Sequence, residues 1–95
     1  TALLANYPNP FNPETWIPFD LSEAAEVTVS VYDPRGVVVR RLDLGSLGPG
    51  RYRGRSTAAY WDGRNDFGEQ VSSGVYMYEL RAGPSRQMRR MIVRK

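Results

Sequence analysis

The sequence predicts an all-β domain, a two-sheet antiparallel sandwich of about seven short strands. Short runs of alternating apolar and polar residues recur along the 95-residue chain, and nine glycines and seven prolines separate them. Glycine and proline punctuate short strands and break helices. We therefore expect residues 1–95 to form a single domain with one core. A small barrel is the alternative architecture.

Thr1–Pro13 reads as an extended lead-in that lies against the edge of a sheet. Its three prolines exclude a helix and remove three amide donors. We expect Tyr7 and Phe11 to anchor the segment by packing onto the body of the domain, as buried aromatic side chains commonly do.

Thr15–Leu21 is the first predicted strand, with Ile17, Phe19 and Leu21 toward the core and Pro18 at an edge. The strand that follows, Val27–Val31, alternates apolar valines with Thr and Ser, as half-buried antiparallel strands do.

Asp33-Pro34-Arg35-Gly36 has the composition of a turn, and Val37–Leu44 is predicted to return as a hairpin partner. Gly45–Gly50 is predicted to be a flexible connection. Arg51–Arg55 is read as a solvated strand or loop. One tyrosine between arginines makes no stacking platform, and the net charge of +3 is mild, so no nucleic-acid partner is predicted.

Tyr60–Leu80 is the stretch around which the rest is organised, and it reads as two strands joined by a structured turn. Asp62-Gly63 and Phe67-Gly68 are turn dipeptides. The period of two predicts that Tyr76, Tyr78 and Leu80 are buried. It predicts that the opposite face, which carries a charge at Glu79, meets solvent. In the last strand, Arg86–Lys95, we expect Met91 and Val93 to point inward and Arg90, Arg94 and Lys95 to reach water or the strand ends.

Enzymatic chemistry is not predicted, and no catalytic residue is assigned. The chain has no cysteine and no histidine, so the commonest general base is missing and Ser72 and Ser73 have no partner for activation. No cofactor is expected. One alternative is calcium, for which a single loop offers four oxygen-bearing side chains: Asp62, Asn65, Asp66 and Glu69. The other interpretation is a turn whose acids bind its own amides.

Several motifs occur together in one order. They are Tyr7-Pro8-Asn9-Pro10-Phe11-Asn12-Pro13; Val31-Tyr32-Asp33 with Gly36; Trp61-Asp62-Gly63 with Gly68; Ser73-Gly74-Val75-Tyr76; and the ending Arg90-Met91-Ile92-Val93-Arg94-Lys95. This pattern resembles the type A C-terminal sorting domains of the type IX secretion system and the related immunoglobulin-like domain of the flagellar hook-capping protein family. The longer stretch Arg51–Ala59 departs from that pattern.

The resemblance implies an immunoglobulin-like β-sandwich at the C-terminal end of a larger exported protein, which outer-membrane secretion machinery reads while it carries the preceding cargo domain to the cell surface. Six residues are the candidates for partner recognition: Arg89, Arg90, Met91, Val93, Arg94 and Lys95. Six others form the candidate structural motif: Trp61, Asp62, Gly63, Gly68, Gly74 and Tyr76. Removal of residues 91–95 is expected to abolish sorting. The alternative role is a structural accessory or spacer module of an extracellular or hook-cap-like protein, with a protein or a glycan as its ligand.

Basic charge is concentrated at the end of the chain, where residues 80–95 contain six arginines and lysines and no acid. Such a face could meet anionic lipopolysaccharide or an acidic receptor groove, or it could keep an edge strand from aggregating. No apolar run approaches the roughly 18 residues of a membrane-spanning helix, so no transmembrane segment is predicted.

Overall fold

The computed structural model describes residues 1–11 and 13–95. Asn12, which belongs to the first motif of the resemblance, lies outside the described residues. The strands are β1 (Ala2–Leu3), β2 (Thr15–Ile17), β3 (Phe19–Leu21), β4 (Ala25–Tyr32), β5 (Val38–Leu47), β6 (Gly50–Tyr52), β7 (Ala59–Trp61), β8 (Gly74–Ala82) and β9 (Ser85–Val93).

The strands form three antiparallel sheets. One has four strands in the order β5-β4-β8-β9, and the two smaller ones have the orders β1-β3-β6 and β2-β7. The buried side chains of all three sheets belong to one hydrophobic core. The two smaller sheets therefore act as the layer opposite the four-stranded sheet, and the prediction of an immunoglobulin-like β-sandwich is confirmed.

The strand predicted at Thr15–Leu21 is divided at Pro18 into β2 and β3, which belong to different small sheets. Proline has no amide to donate, so the hydrogen-bond ladder stops there and the chain changes sheet. Ile17, Phe19 and Leu21 are buried, as predicted. This division is one reason why the described residues contain more than the expected seven or so strands.

The prediction of a flexible connection at Gly45–Gly50 is wrong, because β5 continues to Leu47 and β6 begins at Gly50. Gly45 pairs with Val27 beside a shift in the β4–β5 register. Such an irregularity, a β-bulge, accommodates an extra residue without ending the strand pairing. A glycine that reads as a linker in the sequence is here part of a ladder.

The hairpin between β4 and β5 follows the prediction. The Gly36 amide donates to the Asp33 carbonyl at 2.9 Å, and the Asp33 carboxylate accepts from the amides of Arg35 and Val37 at 2.9 and 3.0 Å. A short acid that binds nearby amides fixes the turn. The valines of β4 that face the core are fully buried, and they are Val27, Val29 and Val31.

The face assignment of β8 is confirmed on one side and corrected on the other. Tyr76, Tyr78 and Leu80 are buried, as their spacing predicts. Glu79, on the face expected to meet solvent, is only 1% exposed. Its neighbours on adjacent strands cover it and supply the hydrogen bonds that a buried carboxylate requires. The described residues include no helix long and apolar enough to cross a membrane.

Candidate functional site: the β8–β9 hairpin

Four of the six residues that the sequence singles out for partner recognition lie on β9, and the other two, Arg94 and Lys95, follow it directly. β8 and β9 pair along their whole length, from Gly74 opposite Val93 to Ala82 opposite Ser85. The two-residue connection begins with Gly83, whose φ is +57°. Glycine is favoured at that position in tight hairpin turns whose twist matches that of the strands. β9 thus becomes the outermost strand of the four-stranded sheet.

The structure divides the six recognition candidates into two groups. Met91 and Val93 are 1% and 5% exposed and belong to the core, so they hold the strand in place and offer no surface to a partner. The other four are exposed: Arg89, Arg90, Arg94 and Lys95. Of these, Arg89 reaches back across the edge, with its Nη1 3.5 Å from the Leu3 carbonyl oxygen.

The lead-in segment covers the end of β9. The Phe11 amide donates to the Ile92 carbonyl at 3.2 Å, and the Arg94 amide donates to the Phe11 carbonyl at 3.0 Å. The Asn9 side-chain oxygen accepts from the Ile92 amide at 2.9 Å. Phe11 is buried and packs edge to face on Trp61, with 5.4 Å between the ring centroids. The prediction that Phe11 anchors the lead-in is therefore confirmed.

Tyr7 anchors the same segment to β2, the strand that carries Trp16. It stacks on Trp16 with 6.2 Å between the centroids, and its hydroxyl donates to the Arg53 carbonyl. The guanidinium of Arg55 lies 4.4 Å above the Trp16 ring. This contact holds the arginine-rich stretch, which departs from the resemblance, against the domain.

The arginine-rich stretch has structural partners along its length. Tyr52 stacks on Phe19 with 5.0 Å between the centroids. Arg53 binds the Asp20 carboxylate with two hydrogen bonds of 2.9 and 2.6 Å. The ring and the guanidinium that a nucleic-acid hypothesis would use are therefore bound within the domain.

Gly63 is the residue at which the turn motif Trp61-Asp62-Gly63 approaches the lead-in most closely. Its φ is +76°, and a Cβ at this position would lie 2.4 Å from the Pro13 carbonyl oxygen. Only glycine combines this backbone conformation with so close an approach. The Trp61 indole Nε1 donates to the Arg64 carbonyl at 2.9 Å and fixes the turn from the core side. The motif therefore joins the lead-in to the body of the domain.

Of the four oxygen-bearing side chains proposed as a calcium alternative, three bind groups of the turn itself and the fourth, Asp66, binds β5. Asn65 Oδ1 accepts from the amides of Phe67 and Glu69, both at 3.0 Å. Asp62 accepts from the Arg64 amide, and Arg40 lies 3.9 Å from Asp62 and 3.7 Å from Asp66. Within residues 1–11 and 13–95, no group of three or more acidic side chains is placed to hold a metal ion. The arrangement matches the interpretation of a turn whose acids bind its own amides.

Glu79 is the residue at this site that the sequence reading missed. Its carboxylate accepts from Arg86 Nε at 2.5 Å and from the Tyr32 hydroxyl at 3.2 Å, and Arg81 Nε lies at 3.4 Å. Burial alone would raise the pKa of Glu79. The bonds from Arg86 and Tyr32, with the charges of Arg86 and Arg81, outweigh burial and hold the pKa below its ordinary value. The sequence signal for this pairing is the single acid of β8 beside Arg81 and the three arginines of β9.

An apolar patch accompanies the exposed arginines on the outer face of the hairpin. Val75, Met88 and Ile92 are 48%, 46% and 40% exposed, although they lie on strands with buried inner faces. Val75 and Ile92 are directly paired across the ladder. Exposed apolar side chains beside basic ones are a common composition for a protein-binding surface. Met88 and Ile92 were not among the sequence candidates.

The sequence profile of the FlgD Ig-like domain family matches residues 13–85. This match covers most of the chain, which therefore belongs to that family. The family is non-catalytic, and membership supports a non-catalytic Ig-like module. No curated protein matches the sequence.

Three solved structures share the fold. Dimeric latent PorU from Porphyromonas gingivalis is 20% identical with a TM-score of 0.69, over 96% of this chain and 9% of that one. FlgD from P. aeruginosa is 26% identical with a TM-score of 0.61, over 79% and 55%. PorZ, an essential surface component of the type-IX secretion system of P. gingivalis, is 20% identical with a TM-score of 0.67, over 99% and 12%. The chain thus spans only part of each of these proteins.

Proposed function

We propose that the domain is a non-catalytic sorting and anchoring module that directs an exported protein across the outer membrane to the cell surface. In this proposal residues 1–95 stand at the C-terminal end of a larger protein, and the cargo domain precedes them. The partner is the outer-membrane secretion machinery. The protein is secreted or held at the bacterial surface.

The observation that carries the proposal is the contrast between buried and exposed side chains on β9 and on the two residues that follow it. Met91 and Val93 are buried and fix the strand, while Arg90, Arg94 and Lys95 stand in solvent. Basic side chains held on a rigid strand can be recognised by a complementary acidic surface at little cost in ordering. The fold of the domain also occurs in PorZ, a surface component of a type-IX secretion system, which supports the choice of partner.

A second candidate function is a structural spacer or hook-cap-like module, with a protein or a glycan as its ligand. One observation favours it: the family match ends at residue 85, where β9 begins. In this function β9 completes the core through Met91 and Val93 and closes the sheet without serving as a signal. Anionic lipopolysaccharide is a further candidate ligand for the exposed arginines.

Export of a reporter fused to residues 1–95, in a bacterium with an active type IX apparatus, tests the proposal. Deletion of residues 91–95 is a poor test, because it removes two core side chains and would unfold the domain. The sharper variant reverses the charge of Arg90 and Arg94, both exposed, to Glu.

The matched control reverses the exposed Arg41 and Arg51 to Glu, which changes the net charge equally but acts on β5 and β6. We expect the intact and control fusions to reach the surface and the Arg90/Arg94 variant to remain in the periplasm. Equal export of all three folded fusions would contradict recognition through the end of β9. Retention of the intact fusion itself would favour the spacer function.

A further inference from the structure

One side of the β9 backbone faces away from β8, because β9 is the outermost strand of the sheet. At Ile92 both backbone groups point to that side, since the amide donates to Asn9 Oδ1 and the carbonyl accepts from the Phe11 amide. In an antiparallel pair these directions alternate with a period of two. The amides and carbonyls of Arg86, Met88 and Arg90 therefore point outward as well.

Among the described residues, the lead-in bonds the β9 backbone itself at the Ile92 end of this edge. Within the part of the chain that the structure describes, no hydrogen bond closes the outward backbone groups of Arg86, Met88 and Arg90. β1 approaches β9 through side chains alone, with the Leu3 amide donating to Gln87 Oε1 at 2.8 Å. The open stretch is roughly 17 Å long at about 3.4 Å per residue, enough for one added strand of five residues or so.

Charge decides what kind of strand would fit. Residues 80–95 contain six basic side chains and no acid, and Glu79, which binds Arg86, is itself buried. A second copy of this chain would bring the same basic strand against β9, and like charges opposite each other destabilise strand pairing. An acidic segment would be attracted instead.

The side chains on the outer face of β9 also determine the order of acidic and apolar residues that a partner strand needs. Arg86, Met88 and Arg90 all point to the outer face. Met88 is 46% exposed, and Arg86, whose Nε binds Glu79, keeps 62% of its side chain exposed. A strand laid antiparallel to β9 would place its own outer-face side chains opposite these three. The complementary sequence alternates acidic, apolar and acidic residues on that face.

We propose that the open edge of β9, from Arg86 to Arg90, binds an extended acidic segment of a partner protein as an added antiparallel strand. Backbone hydrogen bonds supply affinity in this mode, and the side chains supply selectivity. The inference rests on the proposed function, which makes the secretion machinery the partner. It adds that the segment of the partner that binds is extended and acidic. It is tested with the purified domain, so its failure is distinct from a failure of export.

The probe is the acetylated and amidated peptide Thr-Glu-Thr-Val-Thr-Glu-Thr, titrated into the domain and followed by amide chemical shifts and hydrogen exchange. We expect protection of the Arg86, Met88 and Arg90 amides. Met88→Pro removes an outward amide that β8 does not use, a place where edge strands tolerate proline. It should weaken binding at least about fivefold, whereas Met88→Ala, the matched control, should stay within about threefold because it keeps the amide.

Two further probes make the result independent of how well the proline variant folds. The same peptide N-methylated on the amides that face β9 should lose binding, because its side chains remain but its donors do not. A peptide with Lys in place of Glu should bind at least about tenfold more weakly. Equal binding of the Glu and Lys peptides, or of the methylated peptide, would overturn the proposal.

Two other outcomes would also overturn it. The first is protection of the β9 edge without peptide, together with a concentration-dependent dimer in sedimentation, which would assign the edge to a second copy. The second is binding of lipopolysaccharide vesicles that Met88→Pro leaves unchanged while the peptide fails to bind, which would assign the arginines to a charged lipid surface.

Discussion

The two edges of the four-stranded sheet are each covered over part of their length, and a different element covers each edge. The turn after β7 covers β5, where the Asp66 amide donates to the Val39 carbonyl at 2.9 Å and the Asp66 carboxylate accepts from the Arg41 amide at 3.3 Å. Within residues 1–11 and 13–95, the lead-in bonds the backbone of β9 at Ile92. Unpaired edges invite pairing with other chains, and native proteins usually block them. Charged side chains discourage unselective pairing of an edge strand, and on β9 the arginines leave the open backbone groups accessible to an acidic strand, as proposed above.

Both covers depend on the same core side chain. Trp61 packs against Phe11, which holds the lead-in on β9, and its indole nitrogen binds the Arg64 carbonyl in the turn that covers β5. Trp61 therefore supports the covers of both edges. The loss of stability when Trp61 is removed can be compared with the loss when either cover is loosened alone.

Trp61→Ala should have the largest effect, since it removes a fully buried side chain and both anchors. We expect a loss of about 3–5 kcal/mol in the free energy of unfolding, measured by chemical denaturation. The matched control is Tyr60→Ala at a half-exposed neighbour, with an expected loss of about 1 kcal/mol or less. Similar losses for the two variants would contradict the role of Trp61 as the common anchor.

Gly63→Ala should act mainly on the β9 cover. The added Cβ would meet the Pro13 carbonyl oxygen at 2.4 Å, in a backbone conformation with φ of +76°. We expect a loss of about 2 kcal/mol or more, with faster hydrogen exchange at the Ile92 and Arg94 amides.

Gly36→Ala is the control for Gly63→Ala, because Gly36 has a φ of +85° and nothing within 4 Å of the added carbon. Its loss should be about 1 kcal/mol, from backbone strain alone. If Gly63→Ala costs no more than Gly36→Ala, the contact with the lead-in does not matter for stability.

Glu79→Gln should weaken the contact between β8 and β9, the outermost strand. Loss of the charged partner of Arg86 should cost about 1–2 kcal/mol at pH 7, measured by denaturation. The folded pKa of Glu79 lies below its ordinary 4.5. Its contribution is therefore fully present above pH 4.5 and disappears as the pH falls through the lower, folded pKa.

The stabilities of wild type and Glu79→Gln should accordingly converge in acid. The matched control is Glu26→Gln on the exposed side of β4, which should change the free energy of unfolding at pH 7 by about 0.5 kcal/mol or less. A difference between wild type and Glu79→Gln that stays constant down to pH 2 would show that the carboxylate charge is not what the arginines stabilise.

Asp66→Ala should have the smallest effect on stability and the most local one. It removes the carboxylate that accepts from the Arg41 amide, at an expected cost of about 0.5 kcal/mol for an exposed group. Exchange at the Arg41 amide should rise toward the rate of the open amides of β9. An unchanged Arg41 rate would mean that the turn does not protect the β5 edge.

The sequence predicts most of this architecture because strand periodicity records which side chains are buried. The valines of β4 and the tyrosines of β8 lie where a period of two places them. Gly45 was misread because its role depends on a bulge opposite Val27, and register is not local information. Glu79 was misread because its burial depends on Arg86 and Tyr32 from neighbouring strands.

The candidate site was predictable only in part for the same reason. The concentration of arginine after Leu80 is visible in the sequence, and it indicates a basic ending. Which arginines are free depends on the sheet order, which makes β9 an edge and leaves Met88 exposed. The open backbone groups of β9 leave no trace in the sequence, since every residue but proline has them.

The measurement that tests the account most directly is export of the reporter fusion with Met88→Pro beside Met88→Ala, in the same type IX host, after both purified domains are shown to unfold at the same denaturant midpoint. We predict that the alanine fusion reaches the surface and the proline fusion remains in the periplasm, because only the proline variant blocks the open edge of β9. Equal export of the two fusions would contradict it.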